Sequence, residues 1–215
     1  MLIVGAGCIG ASVGEILVRS GIYNLTIVDS DIFKVGNLSR HVLNLNNIGE
    51  LKELSLCSYL NSLNPHANVE VINDTIIIDC TGENSVLNIF QNINLKGKHV
   101  LASISVGLGA KHLYIALTNN HIMNFNNFYE LISPYLHNEK ALYDDYHLPR
   151  DGTGCWHPTF SGRSDDIWIA AATSVKAIEN YILSKSEKML SLVYEQRESN
   201  GFFEGYVMVD KKEDG

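Results

Sequence analysis

The feature that most constrains the fold is a glycine-rich loop between an apolar strand and an amphipathic helix. The loop reads GAGCIG over residues 5–10, a complete GxGxxG with Gly5, Gly7 and Gly10 at the glycine positions. An apolar run at residues 2–4 precedes it, and apolar residues at helical spacing follow it. A phosphate can approach such a loop closely, and the helix N-terminus offers free N–H groups to it. The loop therefore predicts a nucleotide site at the edge of a parallel sheet.

Alternating strand and helix patterns continue along the chain. They predict strands over residues 25–28, 69–72, 76–78, 98–104 and 112–117, and helices over residues 51–63 and 164–183. The asparagine-rich residues 119–127 are expected to form a loop, and Ser164 is expected to cap the last helix. A terminal hairpin is predicted to turn at residues 199–201, followed by a charged tail that frays from residue 210. We therefore expect an α/β fold: a doubly wound, Rossmann-like, mostly parallel sheet with helices on both faces and a C-terminal β-hairpin.

Composition excludes several classes of protein. A chain of 215 residues with a formal net charge of -8 is not expected to bind nucleic acid or anionic lipid. No apolar run approaches the roughly 20 residues of a membrane-spanning helix. The four cysteines are scattered without a CxxC pair, which excludes a disulfide scaffold and a zinc knuckle. We expect a reduced, cytoplasmic protein with no nucleic-acid or membrane partner.

Polar residues after the second predicted strand indicate which nucleotide is bound. Asp29 ends that strand, where a carboxylate can accept hydrogen bonds from ribose hydroxyls, in NAD as well as in ATP. A triphosphate gives three later residues a chemical role: Arg40 can fork onto phosphate oxygens, Lys52 can supply a point charge, and Asn37 can orient a phosphate or ribose. Such cations would also stabilise charge that develops during attack on the α-phosphate. The alternative interpretation is that Arg40 and Lys52 are ordinary solvated charges.

These residues resemble a known family. The run DSDIFKVGNLSRH at residues 29–41, followed by IGELK and NPH, is similar to the adenylating domain of the ubiquitin-activating superfamily, which includes ThiF-, MoeB- and HesA-like proteins. The three loop glycines match its phosphate loop, Asp29 its ribose carboxylate, Asn37 and Arg40 its NLxRQ pair, and Lys52 its later lysine. The resemblance covers roughly residues 1–105.

The resemblance implies a reaction and its partners. ATP and the C-terminal carboxylate of a small ubiquitin-like or sulfur-carrier protein give an acyl-adenylate and pyrophosphate, normally with Mg²⁺. It also implies a homodimer and a single adenylation domain over residues 1–215, with a nucleotide half over about residues 1–105 and a carrier-protein half over about 106–215. Family members carry helices before the first strand, with an arginine that reaches the triphosphate across a dimer. Because the first strand here begins at residue 2, we expect that such a segment is missing, that a partner supplies it, or that activity is weak.

Two positions depart from the family pattern. His41 stands where the family has glutamine, and Gly82 aligns with the aspartate that usually handles magnesium. Asp79 and Glu83 are nearby carboxylates that could replace that aspartate. The magnesium ligand is therefore left open.

A second conspicuous segment lies around Cys155. Glycines and a proline surround this cysteine in residues 151–162, which predicts an exposed loop, and His157 lies two residues beyond it. Cys155 is a candidate nucleophile that accepts the acyl group, or else a small residue packed in its loop. The pattern resembles bacterial family members found with ubiquitin-conjugating-like proteins, which makes such a protein a candidate partner. Cys8 and Cys80 are expected to be packed, and Cys57 to be in the core.

Three functions compete. The first is adenylation of a carrier protein, with possible transfer to a cysteine, and it gives a role to Asp29, Asn37, Arg40 and Lys52. The second is an NAD-linked oxidoreductase, which explains the glycine loop and Asp29 but leaves Asn37, Arg40 and Lys52 without a role. The third is a catalytically degenerate subunit that keeps the fold and some affinity for nucleotide.

Overall fold

The computed structural model describes residues 1–69, 76–92, 99–119, 123–142 and 162–214. The strands are β1 (Leu2–Val4), β2 (Asn24–Val28), β3 (Asn68–Val69), β4 (Ile76–Asp79), β5 (Val100–Val106), β6 (His112–Asn119), β7 (Met189–Ser199) and β8 (Phe202–Asp214). The α-helices are α1 (Cys8–Arg19), α2 (Lys52–Leu63), α3 (Asn84–Asn92), α4 (Phe125–Leu142) and α5 (Ser164–Ser184). No helix within these ranges is both long and apolar enough to cross a membrane.

All eight strands join one sheet in the order β3-β2-β1-β4-β5-β6-β7-β8. The first five positions in this order pair in parallel, and β6, β7 and β8 pair in antiparallel fashion. The direction of winding reverses between β1 and β4, which opens a crevice at the carboxyl ends of these two strands. This topology confirms the predicted doubly wound, mostly parallel sheet.

Helices cover both faces of the sheet, as predicted. Ile78 and Ile115 belong to a core that also contains residues of α1, α2 and α5. Their neighbours Ile77 and Tyr114 belong to a second core with residues of α3 and α4. Because successive residues of a strand face opposite sides, this alternation places one helical layer on each face.

The C-terminal hairpin is longer than the sequence indicates. The turn at residues 199–201 is confirmed, and Asn200 and Gly201 have positive φ values of 52° and 77°. The prediction of a fraying tail is wrong, because residues 210–214 pair with Met189–Val193 along β7. Backbone hydrogen bonds to a long neighbouring strand order this charged segment, whatever its composition.

Two other local predictions need correction. Residues 125–127 are the first turn of α4 and not loop, because Phe128 and Ile132 are buried on this helix against the sheet. Ser164 is the first residue of α5, and Arg163 holds the cap position without a side-chain cap bond. Helices α3 and α4 were not predicted, and the part of the third predicted strand beyond Val69 lies outside the described residues.

Candidate nucleotide-binding site

The glycine loop has a different requirement at each of its glycines. Gly5 has a φ of +94°, a conformation that side chains disfavour. A Cβ on Gly10 would lie 1.9 Å from the Gly5 carbonyl oxygen, so this glycine lets α1 pack against the loop. A Cβ on Gly7 would meet no atom within 4 Å. Gly5 is thus needed for its backbone conformation and Gly10 for close packing, whereas Gly7 borders open space.

The N-terminus of α1 has the features of an anion site. Gly7 holds the cap position, no side chain caps the helix, and its first turn carries no acidic residue. The first N–H groups of a helix have no partner within the helix, and the helix dipole adds positive potential there. A phosphate bound at this end would satisfy these donors.

Asp29 ties the glycine loop to the end of β2. One carboxylate oxygen accepts a hydrogen bond from the Ala6 N–H at 2.6 Å, and the other accepts from the Asp31 N–H at 2.7 Å. The Asp29 N–H in turn donates to Glu53 Oε2 at 3.1 Å. Each carboxylate oxygen can accept a further bond, so the predicted contact with ribose hydroxyls is compatible with this arrangement.

Lys52, predicted to bind phosphate, is paired within the protein. It is the first residue of α2, its Nζ lies 2.5 Å from Asp31 Oδ2, and its N–H donates to the Asp31 carbonyl at 3.0 Å. Burial raises the pKa of Asp31, but the hydrogen bond and charge of Lys52 outweigh this effect and leave the pKa below its ordinary value. The lysine is therefore held in a fixed position by a carboxylate that was not among the predicted site residues.

Arg40 reaches the glycine loop, whereas the Asn37 amide stays within its own turn. Arg40 Nη1 donates to the Gly36 carbonyl at 3.0 Å, and the Arg40 charge partly offsets the rise that burial causes in the pKa of the Cys8 thiol. Asn37 Oδ1 accepts a hydrogen bond from the Lys34 N–H at 2.9 Å, closing a short 3-10 turn. Asp29 and Arg40 therefore lie directly at the loop. Lys52 is connected to it indirectly, because its partner Asp31 is hydrogen-bonded to Asp29.

His41 also contacts the loop, and the sequence identified it only as a departure from the family pattern. Its Nε2 lies 2.8 Å from the Ala6 carbonyl oxygen. In the sequence, the contact of His41 with the loop was signalled only by the departure of this position from an otherwise matching motif.

A cavity of about 430 Å³ opens beside the loop. Its wall is formed by the start of α1, the turn after β4, the start of α3, the end of β5, the start of β6, and α4. Lining residues include Gly7, Cys8, Thr81, Ser105, Tyr114 and Phe128. This volume is within the usual range of roughly 300–1,000 Å³ for small-molecule sites. The cavity lies in the crevice where the sheet topology predicts a ligand.

The residues near Gly82 do not fit a magnesium site. Asp79 is fully buried, and its oxygens accept hydrogen bonds from the Thr81 N–H at 3.0 Å, the Thr81 hydroxyl at 2.7 Å and the Ser103 hydroxyl at 2.8 Å. Burial raises the pKa of Asp79. Glu83 is exposed, and within the described ranges no three His, Cys, Asp or Glu residues are grouped as metal ligands. The described residues at this end of β4 therefore do not provide a set of magnesium ligands.

The structure describes three of the four cysteines. Cys155 and His157 lie in residues 143–161, outside the described part of the chain, so the proposed acyl acceptor stays a prediction. Cys8 and Cys80 line the cavity, and burial raises the pKa of both thiols, which disfavours the thiolate. Cys57 is half-buried on α2 and packs against the core from its edge.

The glycine loop lies at the switch point of a doubly wound sheet, which is where α/β proteins of this class bind nucleotides. Residues 1–95 match the ThiF family. This match confirms, for this part of the chain, the resemblance drawn from the motifs.

Two curated relatives are similar to this chain in sequence, and a solved structure is similar to it in fold. The ATP-dependent ubiquitin transferase-like protein Cap2 of Enterobacter hormaechei is 30% identical over 198 residues, which are 83% of this chain and 32% of Cap2. The molybdopterin-synthase adenylyltransferase of Haemophilus influenzae is 31% identical over 105 residues, 41% of this chain and 42% of that protein. The structure of E. coli MccB with AMPCPP and MccA has a TM-score of 0.60 at 16% identity, covering 100% of this chain and 63% of that chain.

The chain thus spans about a third of the length of Cap2 and 42% of the adenylyltransferase. The likeness to MccB concerns the fold alone, because the identity is low. The relatives' names are those of adenylyltransferases and a ubiquitin transferase-like protein, which does not favour the oxidoreductase alternative.

Proposed function

We propose that this chain binds ATP and adenylates the C-terminal carboxylate of a ubiquitin-like or sulfur-carrier protein. The observation that carries the proposal is the uncapped N-terminus of α1 behind the glycine loop, with Asp29 and Arg40 held against that loop. Relatives with adenylyltransferase names support the choice of ATP over NAD.

The proposed reaction is a displacement at the α-phosphorus of ATP. A carboxylate oxygen of the carrier forms a bond to this phosphorus while the bond to the bridging oxygen of pyrophosphate breaks. The products are the acyl-adenylate and pyrophosphate. The N–H groups at the start of α1 would hold phosphate oxygens, and Asp29 would accept a ribose hydroxyl bond. Arg40 and Lys52 would stabilise the negative charge that passes to the leaving pyrophosphate.

A pyrophosphate–ATP exchange assay with candidate carrier proteins tests this proposal. We expect exchange that depends on the carrier, and a loss of about tenfold or more in Arg40→Ala and in Lys52→Ala. Lys176→Ala and Arg197→Ala are charge-matched controls on exposed positions of α5 and β7, and should keep wild-type exchange. Absence of exchange in the wild type, or full exchange in both site variants, would refute the assignment.

Four finer parts of the proposal have separate tests: the thioester, the homodimer, the conjugating-like partner and the nucleotide. A carrier thioester on Cys155 would survive denaturation, be released by a thiol, and be missing in Cys155→Ser. A homodimer would appear as twice the chain mass in light scattering, and a conjugating-like partner as a larger complex. A thermal-shift titration with ATP and NAD identifies the nucleotide, since a ligand stabilises the folded state that binds it.

A further inference from the structure

The Ala6 peptide unit in the glycine loop is held by one side chain on each side. Its N–H donates to Asp29 Oδ2 at 2.6 Å, and its carbonyl oxygen lies 2.8 Å from His41 Nε2. Ala6 itself is fully buried. The next residue, Gly7, caps α1, so the orientation of Ala6 sets the direction of the N–H groups at the start of this helix.

The hydrogen bonds of His41 define its tautomer. The Leu43 N–H donates to Nδ1 at 3.2 Å, so Nδ1 carries a lone pair and the proton of the neutral ring is on Nε2. Nε2–H therefore donates to the Ala6 carbonyl. The ring also packs edge-on against buried Phe33, with ring centroids 4.9 Å apart. Turning the ring would break both hydrogen bonds and this contact.

The surroundings of His41 favour the neutral ring. Burial lowers its pKa, and the positive charges of Lys52 on α2 and of Arg40 beside it lower it further. The Ala6 carbonyl and the charge of Asp29 act in the opposite direction, and the net shift is downward. A proton on Nδ1 would face the Leu43 N–H, so protonation removes that acceptor.

We propose that His41 is a positioning residue that holds the glycine loop in its phosphate-binding conformation through the Ala6 carbonyl. The proposal rests on the proposed ATP site but not on the identity of the carrier. Glutamine, which the family has at this position, also carries an N–H that can donate to the same carbonyl. The required property is thus a donor at this point, and the imidazole adds a dependence on pH.

The test compares ATP affinity in His41→Ala, His41→Gln and wild type by calorimetry at neutral pH, with His66→Ala as an exposed control. We expect His41→Ala to weaken ATP binding about tenfold, as for one lost hydrogen bond that orders a loop. We expect His41→Gln to stay within about threefold of wild type, and His66→Ala to be unchanged. Unchanged affinity in His41→Ala, or an equal loss in both His41 variants, would overturn the proposal.

A pH series keeps the test decisive if His41→Ala does not fold. The ratio of ATP affinity in wild type to that in His41→Gln cancels the titration of ATP itself. Protonation puts an N–H on Nδ1 that faces the Leu43 N–H, and the repulsion between them would turn the ring away from the Ala6 carbonyl. We therefore expect this ratio to fall from about pH 8 to about pH 5, and a constant ratio would contradict the proposal. ATP binding without carrier-dependent exchange would count against adenylation alone, whereas a wild type that binds no ATP would refute both proposals.

Discussion

Lys52 and Asp31 form an ion pair at 2.5 Å in which the two partners differ in exposure: 9% of the lysine side chain is exposed, against 53% of the aspartate side chain. Removing one partner therefore has a different consequence from removing the other. A carboxylate left alone is solvated by water, whereas an ammonium left alone remains in a largely buried position.

The first prediction concerns this asymmetry. Asp31→Ala should lower the free energy of unfolding by about 1–3 kcal/mol, because it leaves a buried charge without its partner. Lys52→Met, which keeps the aliphatic stem, should cost less than about 1 kcal/mol. Urea denaturation at neutral pH measures both. Equal losses would contradict the idea that burial of the lysine governs the pair.

The second prediction separates the packing role of Gly10 from the ligand role of Gly7. Gly10→Ala should unfold the protein or destabilise it by about 3 kcal/mol or more, because its Cβ would lie 1.9 Å from the Gly5 carbonyl oxygen. Gly7→Ala should fold normally, because a Cβ there meets nothing within 4 Å. The same methyl group would occupy space that a bound phosphate needs, so ATP affinity should fall by about tenfold or more. Circular dichroism and calorimetry on the two variants measure these effects, and a Gly7→Ala protein that binds ATP normally would place the phosphates elsewhere.

The parallel half of the fold was predictable because its signals are local. The glycine loop, the apolar runs and Asp29 at a strand end each report a backbone conformation or a buried face within a few residues. Helix α4 was not predicted because Pro134 and several asparagines, which have low helix propensity, interrupt its helical pattern. Its stability comes from burying Phe128 and Ile132 against the sheet, which no local pattern reveals.

The candidate site was predictable in its residue types but not in its pairings. Arg40 and Lys52 carry the expected charges, yet the proximity of Arg40 to Cys8 and the ion pair of Lys52 with Asp31 depend on how distant segments fold together. The charged end of β8 shows the same dependence, since its order comes from β7. Sequence patterns indicate the conformation and charge of single residues, whereas these contacts depend on which distant residues the fold brings beside them.

The third prediction concerns the pH dependence of stability at Asp79. Burial raises the folded-state pKa of this carboxyl above its ordinary value of 3.8. A raised folded-state pKa adds stability that is fully present at pH values below the ordinary pKa. This contribution is lost as the pH rises through the folded-state pKa. Asp79→Asn lacks the effect and can still accept bonds from Thr81, so its stability relative to wild type should improve between about pH 4 and pH 7. Denaturant unfolding across this range measures the difference; a flat difference, or the same trend in the exposed control Glu187→Gln, would contradict the prediction.

The last prediction concerns the buried carboxylate of Glu139, which is 2% exposed and ties α4 to the turn after β5. Its oxygens accept hydrogen bonds from the Leu108 N–H at 3.0 Å, the Tyr114 hydroxyl at 3.1 Å and His112 Nδ1 at 2.6 Å. A Cβ on Gly107 would lie 2.1 Å and 2.3 Å from those same oxygens. Gly107→Ala should therefore displace the carboxylate and cost about 1–3 kcal/mol, because buried donors then lose their acceptor.

A double-mutant cycle distinguishes this clash from a simple backbone effect. Glu139→Ala alone should also destabilise the protein, because its buried donors lose their acceptor. In the double variant the alanine methyl at position 107 has room, so the combined loss should be smaller than the two single losses added, by about 1 kcal/mol or more. Denaturant unfolding of the four proteins gives this coupling energy. Additive losses would mean that the glycine is needed for its backbone and not for the approach of the Glu139 carboxylate.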